Sequence, residues 1–180
     1  MKYIIAFVHI IVLIYQLFYP IIFNNYFYDI VYILFFYILL LSYILFKGEC
    51  IISLVHKIST NHKYIAGTNV FELNDIQIIL PFFNAKFTYI IFTIISIYFM
   101  YMVYKLNNRT KALPNINTYI YSIFYIFYTF YLRKFFNERL FNKYKVENYI
   151  QFFYILSIPF LLYSIYLLLQ KLWRSKNKKM

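Results

Sequence analysis

The chain has 180 residues, of which 63% are hydrophobic and 13% charged, and its formal net charge is +12. One soluble core of that size cannot bury so much apolar surface, so composition excludes an ordinary soluble globular domain. Cys50 is the single cysteine, which excludes an internal disulfide, and the basic residues are scattered rather than gathered in a patch, which argues against nucleic-acid binding.

Five apolar runs organise the sequence: 3–23, 26–46, 87–104, 116–132 and 149–169. A hydrocarbon core about 30 Å thick takes roughly 20 helical residues at about 1.5 Å rise each. Backbone groups in lipid must pair within their own segment. The expected fold class is therefore all-α, a multi-pass transmembrane helical bundle of five spans forming one integral membrane domain. Barrel strands of about 10 alternating residues do not fit, because these runs are longer and do not alternate.

The first run follows Lys2, like a signal peptide, but bulky Phe18, Tyr19, Ile21 and Phe23 occupy the place where a cleavage site needs small residues. It reads as an uncleaved span. Pro20 and then Asn24-Asn25 are expected to break it, giving a tight hairpin into the second span. Asp29 falls in the first turn of that span, where a carboxylate suits the positive end of the helix dipole. His9, with Gln16 two turns further on, is an ionisable group inside a span and so a functional candidate. The alternative is a neutral imidazole bonded to a neighbouring helix.

Segment 47–86 is the long polar loop. Ile51, Ile52, Leu54, Val55 and Ile58 alternate with Ser53, His56 and Lys57, a spacing that predicts a short amphipathic helix lying in the membrane interface. Residues 59–63 form a polar turn, and Asn74-Asp75 opens a second short helix through Leu80, ended by Pro81. Cys50, His56 and His62 recur every six residues beside Glu49, and thiolate with imidazole is zinc chemistry. A six-residue helical step turns about 600°, however, which puts Cys50 and His56 on opposite faces. Glu49, Glu72, Asp75 and His56 share this loop and are candidates for acid–base work if it brings them together. No cofactor is expected.

The third run ends at Lys105, ahead of a basic loop over 107–111, and Pro114 suits the first turn of the next helix. The fourth run, rich in tyrosine, crosses a bilayer if its helix continues to Phe136 and otherwise lies on the surface. Pro159 predicts a kink in the fifth run. The basic tail, 171–180, fits anionic lipid headgroups, with Trp173 at interface depth. Asn108-Arg109-Thr110 is a glycosylation sequon, and Lys176-Asn177-Lys178-Lys179-Met180 resembles a dilysine endoplasmic-reticulum retrieval tail. Lys and Arg divide almost evenly between the two faces, leaving orientation open, and an odd number of spans puts the two termini on opposite sides.

Residue usage is skewed toward Phe, Tyr, Ile, Asn and Lys, whose codons are AT-rich, so individual aromatics read as filler. Lys47-Gly48-Glu49-Cys50-Ile51-Ile52-Ser53, followed by His56-Lys57 and Tyr64-Ile65-Ala66-Gly67, resembles a segment of uncharacterised multi-pass membrane proteins of mimivirus-like giant DNA viruses. The resemblance implies a host or virion membrane and supplies no catalytic residues. Paired-carboxylate, nucleophile-elbow and P-loop patterns are missing. These readings favour a structural or interaction role, with the bilayer and other membrane proteins as partners. A transporter or channel component and a membrane-embedded lipid-modifying enzyme are the alternatives.

Overall fold

A computed structural model describes residues 2–68, 74–81, 85–128 and 147–177. All regular structure among them is helical: α1 (Lys2–Ile22), α2 (Tyr26–Leu45), α3 (Ile51–Thr60), α4 (Asn74–Gln77), α5 (Ala85–Thr110), α6 (Asn115–Ile126) and α7 (Glu147–Asn177). Three stretches are long and apolar enough to cross a membrane: Tyr3–Ile22, Tyr26–Leu45 and Phe152–Asn177.

Helix α2 is the hub. Ile30, Tyr32, Ile33, Phe36, Tyr37 and Leu40 are fully buried on it, and α1, α5, α6 and α7 pack around them. Ring contacts fix the directions. Phe36 meets Phe99 at 4.8 Å while Asp29 meets Arg109, so α5 runs antiparallel to α2. Tyr37 meets Tyr121 at 4.5 Å and Tyr43 meets Tyr128 at 6.5 Å, so α6 runs parallel to it. Asn117 meets Ser164, and Phe124 meets Phe153, so α7 is antiparallel to α6. One end of the bundle therefore holds the α1–α2 turn, the α5–α6 turn and the C-terminus of α7. The other holds the start of α1, the end of α2, and α3. We call these the hairpin end and the loop end.

The outer helices are turned inside out relative to a soluble bundle. Ile4, Phe7, Val8, Ile11, Ile14, Phe18 and Ile21 line the outer face of α1, whereas Ala6, His9 and Gln16 face inward. On α7, Ile155, Leu156, Leu162, Tyr166 and Leu169 are exposed while Ser157, Leu161, Ser164 and Leu168 are buried to the last atom. Small or polar residues thus mark the seams and aliphatic residues the outside, the arrangement that lipid favours.

Pro20 does not end α1, which continues to Ile22. A proline within a helix lacks the N–H that would serve the carbonyl four residues back, here that of Gln16, and crowds the carbonyls beside it. Two tyrosines from other helices reach this gap. The Tyr32 hydroxyl of α2 donates to the Gln16 carbonyl at 2.7 Å, and the Tyr98 hydroxyl of α5 donates to the Leu17 carbonyl at 2.5 Å. The break is repaired from outside, which is how membrane helices accommodate proline.

Several element boundaries differ from the sequence reading. Helix α5 runs past Lys105 to Thr110, so 107–111 is mostly helix rather than loop. Buried Asn107 explains this: its amide brackets the Leu113 backbone, with Nδ2 to O at 3.0 Å and N to Oδ1 at 2.9 Å, and it sets the α5–α6 turn just beyond the helix end. The sequon is consumed in that last turn. Thr110 is buried, its Oγ1 bonded to the Leu106 carbonyl at 2.9 Å. Helix α7 likewise continues through most of the basic tail, to Asn177, with Pro159 inside it. Lys and Arg are good helix formers and complement the negative end of the dipole. Helix α4 is one turn, ending at Gln77 rather than Leu80. The remainder of the fourth run, from residue 129 on, lies outside the described residues.

Candidate functional site

The buried charges form two knots, one at each end of the bundle. At the loop end, α2 closes with Lys47 in the left-handed region (φ 53°) followed by Gly48 (φ 94°), and the Gly48 N–H bonds to the Tyr43 carbonyl at 2.7 Å. This is a Schellman-type ending, and it turns Glu49 inward. Glu49 is 1% exposed. Its Oε1 accepts from the Gly67 N–H at 2.9 Å and from the Tyr64 hydroxyl, and its Oε2 lies 3.4 Å from Lys57 Nζ. Lys57, 3% exposed, also donates to the Tyr64 hydroxyl at 3.4 Å and sits 5.3 Å from that ring's centroid. Gly67 adopts φ +91°, and a Cβ placed there would fall 2.9 Å from the Lys47 Cβ. The loop over 61–68 is thus drawn onto the end of α2 by one carboxylate.

The polar side of α3 provides this knot. Ser53, His56 and Lys57 are buried, while Ile51, Val55 and Ile58 are exposed. The amphipathic spacing holds: Ile51, Val55 and Ile58 face out, while Leu54 joins the polar residues that face the bundle. Ile51, Ile52 and Val55 join Ile4, Ile5 and Val8 of α1 around an open apolar groove of about 250 Å³. Six aliphatic side chains offer nothing for chemistry there.

The zinc candidates do not meet. Cys50 is a half-buried free thiol just before α3, His56 is buried in its middle, and His62 is exposed in the turn after its end. Roughly 15 Å of helix separates the outer two. Among the described residues no group of three or more His, Cys, Asp or Glu is arranged to hold a metal. Asp75 belongs to α4, but its side chain, like the whole of Glu72, lies outside the described residues. Of the acid–base candidates, Glu49 is engaged by Lys57 and Tyr64. His9 is buried on the inner face of α1.

The second knot was not anticipated as a site. Asp29, fully buried in the first turn of α2, accepts from Arg109 Nε at 2.8 Å and Nη2 at 2.5 Å, side-on. Tyr19 of α1 donates to the same carboxylate at 2.9 Å, and Arg109 Nη2 also reaches the Phe23 carbonyl at 3.4 Å. Three helices are joined at one carboxylate. The available signal was Asp29 itself, a lone acid in a long apolar hairpin, which needs a cation from elsewhere in the chain.

Tyrosines carry the rest of the polar work. Besides Tyr32 and Tyr98, Tyr37 donates to the Asn117 carbonyl at 3.1 Å, Tyr121 to that of Phe36 at 3.3 Å, and Tyr128 to that of Tyr43. Asn117 Nδ2 donates to Ser164 Oγ at 3.1 Å. These hydroxyls bridge helices through backbone oxygens, so the tyrosines are not interchangeable with the phenylalanines beside them. Compared with known proteins, the chain matches no family model, no curated protein and no solved structure.

Proposed function

We propose that this is a five-span integral membrane protein with a structural or interaction role, in which the bundle anchors the polar segment 47–86 at one membrane face. The observation that carries the reading is the use made of polar groups. Asp29, Arg109, Glu49 and Lys57 are engaged with one another, and tyrosine hydroxyls bridge helices through carbonyls, so the bundle's polarity holds helices together. The third and fourth crossings are supported by the 26 residues of α5 and by Tyr128, which reaches the Tyr43 carbonyl near the far end of α2. Host or virion residence rests on the resemblance of segment 47–67, and other membrane proteins are the partners proposed for the exposed loop.

A transporter would use His9 and Gln16 on the inner face of α1, and a lipid-modifying enzyme would use Glu49. His9→Leu and Glu49→Gln are to be expressed in the native host, with membrane fractionation and a phenotype or activity readout. The structural reading expects both proteins to insert and any defect to track abundance. Loss of an activity at normal abundance refutes it.

A further inference from the structure

The described carboxylates are unevenly divided between the two ends of the bundle, whereas exposed cations stand at both, Lys47 and Lys63 among them at the loop end. Glu49 sits at the loop end, α7 begins there with Glu147, and Asp75 belongs to the segment that packs on α1 and α3. At the hairpin end, Asp29 is the only carboxylate among the described residues, and Arg109 and Tyr19 already occupy it. Yet Lys105 lies on the penultimate turn of α5 and Lys111 just beyond its end, and Lys171, Arg174 and Lys176 lie on the last turns of α7. All but half-buried Lys171 are exposed, and none has a carboxylate partner among the described residues. The α7 cations are held on helix, because Leu168 is fully buried and Leu172 packs against the core.

We propose that the hairpin end is an anionic-phospholipid surface: Lys171, Arg174 and Lys176, with Lys105 and Lys111, take their countercharge from headgroups of the leaflet at that end. This rests on the membrane-spanning reading. It goes beyond a flexible basic tail, because the cations come from two helix ends and are held in place on them. A cation near such a surface gains enough to enrich an anionic lipid about fivefold.

Trp173 reports on this surface directly. It is the chain's only tryptophan, lies between Lys171 and Arg174, and is exposed. The full-length protein is reconstituted in vesicles of phosphatidylcholine and phosphatidylglycerol, with one or the other brominated, and quenching of Trp173 gives the relative association of the two lipids. The expected result is at least about threefold preference for the anionic lipid, falling to near unity when Lys105→Gln, Lys111→Gln, Lys171→Gln, Arg174→Gln and Lys176→Gln are combined, with quenching by brominated phosphatidylcholine unchanged. Equal quenching by both lipids overturns the proposal while leaving the spanning reading intact. Absence of quenching by either lipid overturns the spanning reading itself. A preference that survives in the five-fold variant, or a Trp173 response to added duplex DNA in phosphatidylcholine alone, also overturns it, the last by assigning the surface to nucleic acid.

Discussion

The contact between Tyr32 and the Gln16 carbonyl permits a sharp test, because Pro20 determines what it is worth. With Pro20 present, residue 20 has no N–H for the Gln16 oxygen, and the Tyr32 hydroxyl at 2.7 Å takes its place. Tyr32→Phe then leaves a buried acceptor short of its partner, which costs about 1–2 kcal/mol, within the range measured for unsatisfied groups and for interhelical bonds in membranes. In the Pro20→Ala background the restored N–H serves the same oxygen, so Tyr32→Phe should cost under about 0.5 kcal/mol. The four proteins form a double-mutant cycle with an expected coupling of about 1 kcal/mol. Unfolding in mixed micelles titrated with dodecyl sulfate, followed by far-UV circular dichroism, provides the four free energies. If Tyr32→Phe costs the same with and without Pro20, the hydroxyl is not repairing the helix and the reasoning is wrong.

Asp29→Asn should destabilise the bundle by about 2–3 kcal/mol, less than for a fully buried pair because Arg109 is partly exposed, and adding Arg109→Gln should recover more than half; the same micelle titration measures both. Glu49→Gln removes the charge that holds Lys57 and should speed hydrogen exchange at the Gly67 amide together with proteolysis within 61–68, leaving the helices protected. Gly67→Ala forces a Cβ into a left-handed backbone 2.9 Å from Lys47 and should cost about 1–3 kcal/mol, read as a lower midpoint in dodecyl sulfate. Tags at the start of α1 and after α7 should be accessible from opposite sides of sealed vesicles; accessibility from one side would contradict the helix directions derived from the ring contacts.

Much of the helix framework was legible in periodicity and length. The ends of α1 and α2 lie within one residue of the apolar runs, because lipid thickness and the Asn24-Asn25 turn dictate both. The continuation of α5 to Thr110 was not legible, since it depends on an asparagine side chain bracketing a residue six positions ahead. In α3 the stripe was legible, but not which way it faces, because spacing alone does not say which face meets the bundle. The zinc candidates followed a regular interval that no helix geometry supports. Asp29 and Arg109 stand 80 positions apart, so no local pattern links them. The tyrosines were hidden by composition: among 23 Tyr and 22 Phe no single aromatic stands out, and only the partner of each hydroxyl separates a bridging tyrosine from a phenylalanine.

That separation of 80 positions also bears on how the chain is assembled. At about 5–20 residues per second, the ribosome needs roughly 4–16 seconds to make Arg109 after Asp29 has emerged. During that interval the α1–α2 hairpin carries an unneutralised carboxylate, and Tyr19 is the partner already synthesised. Asp29 lies one turn from the end of its helix, so the early hairpin can insert with this carboxylate still among headgroups and waters. The Asp29–Arg109 pair can form only once α5 has been made, so the order of synthesis places this lock after the α1–α2 hairpin.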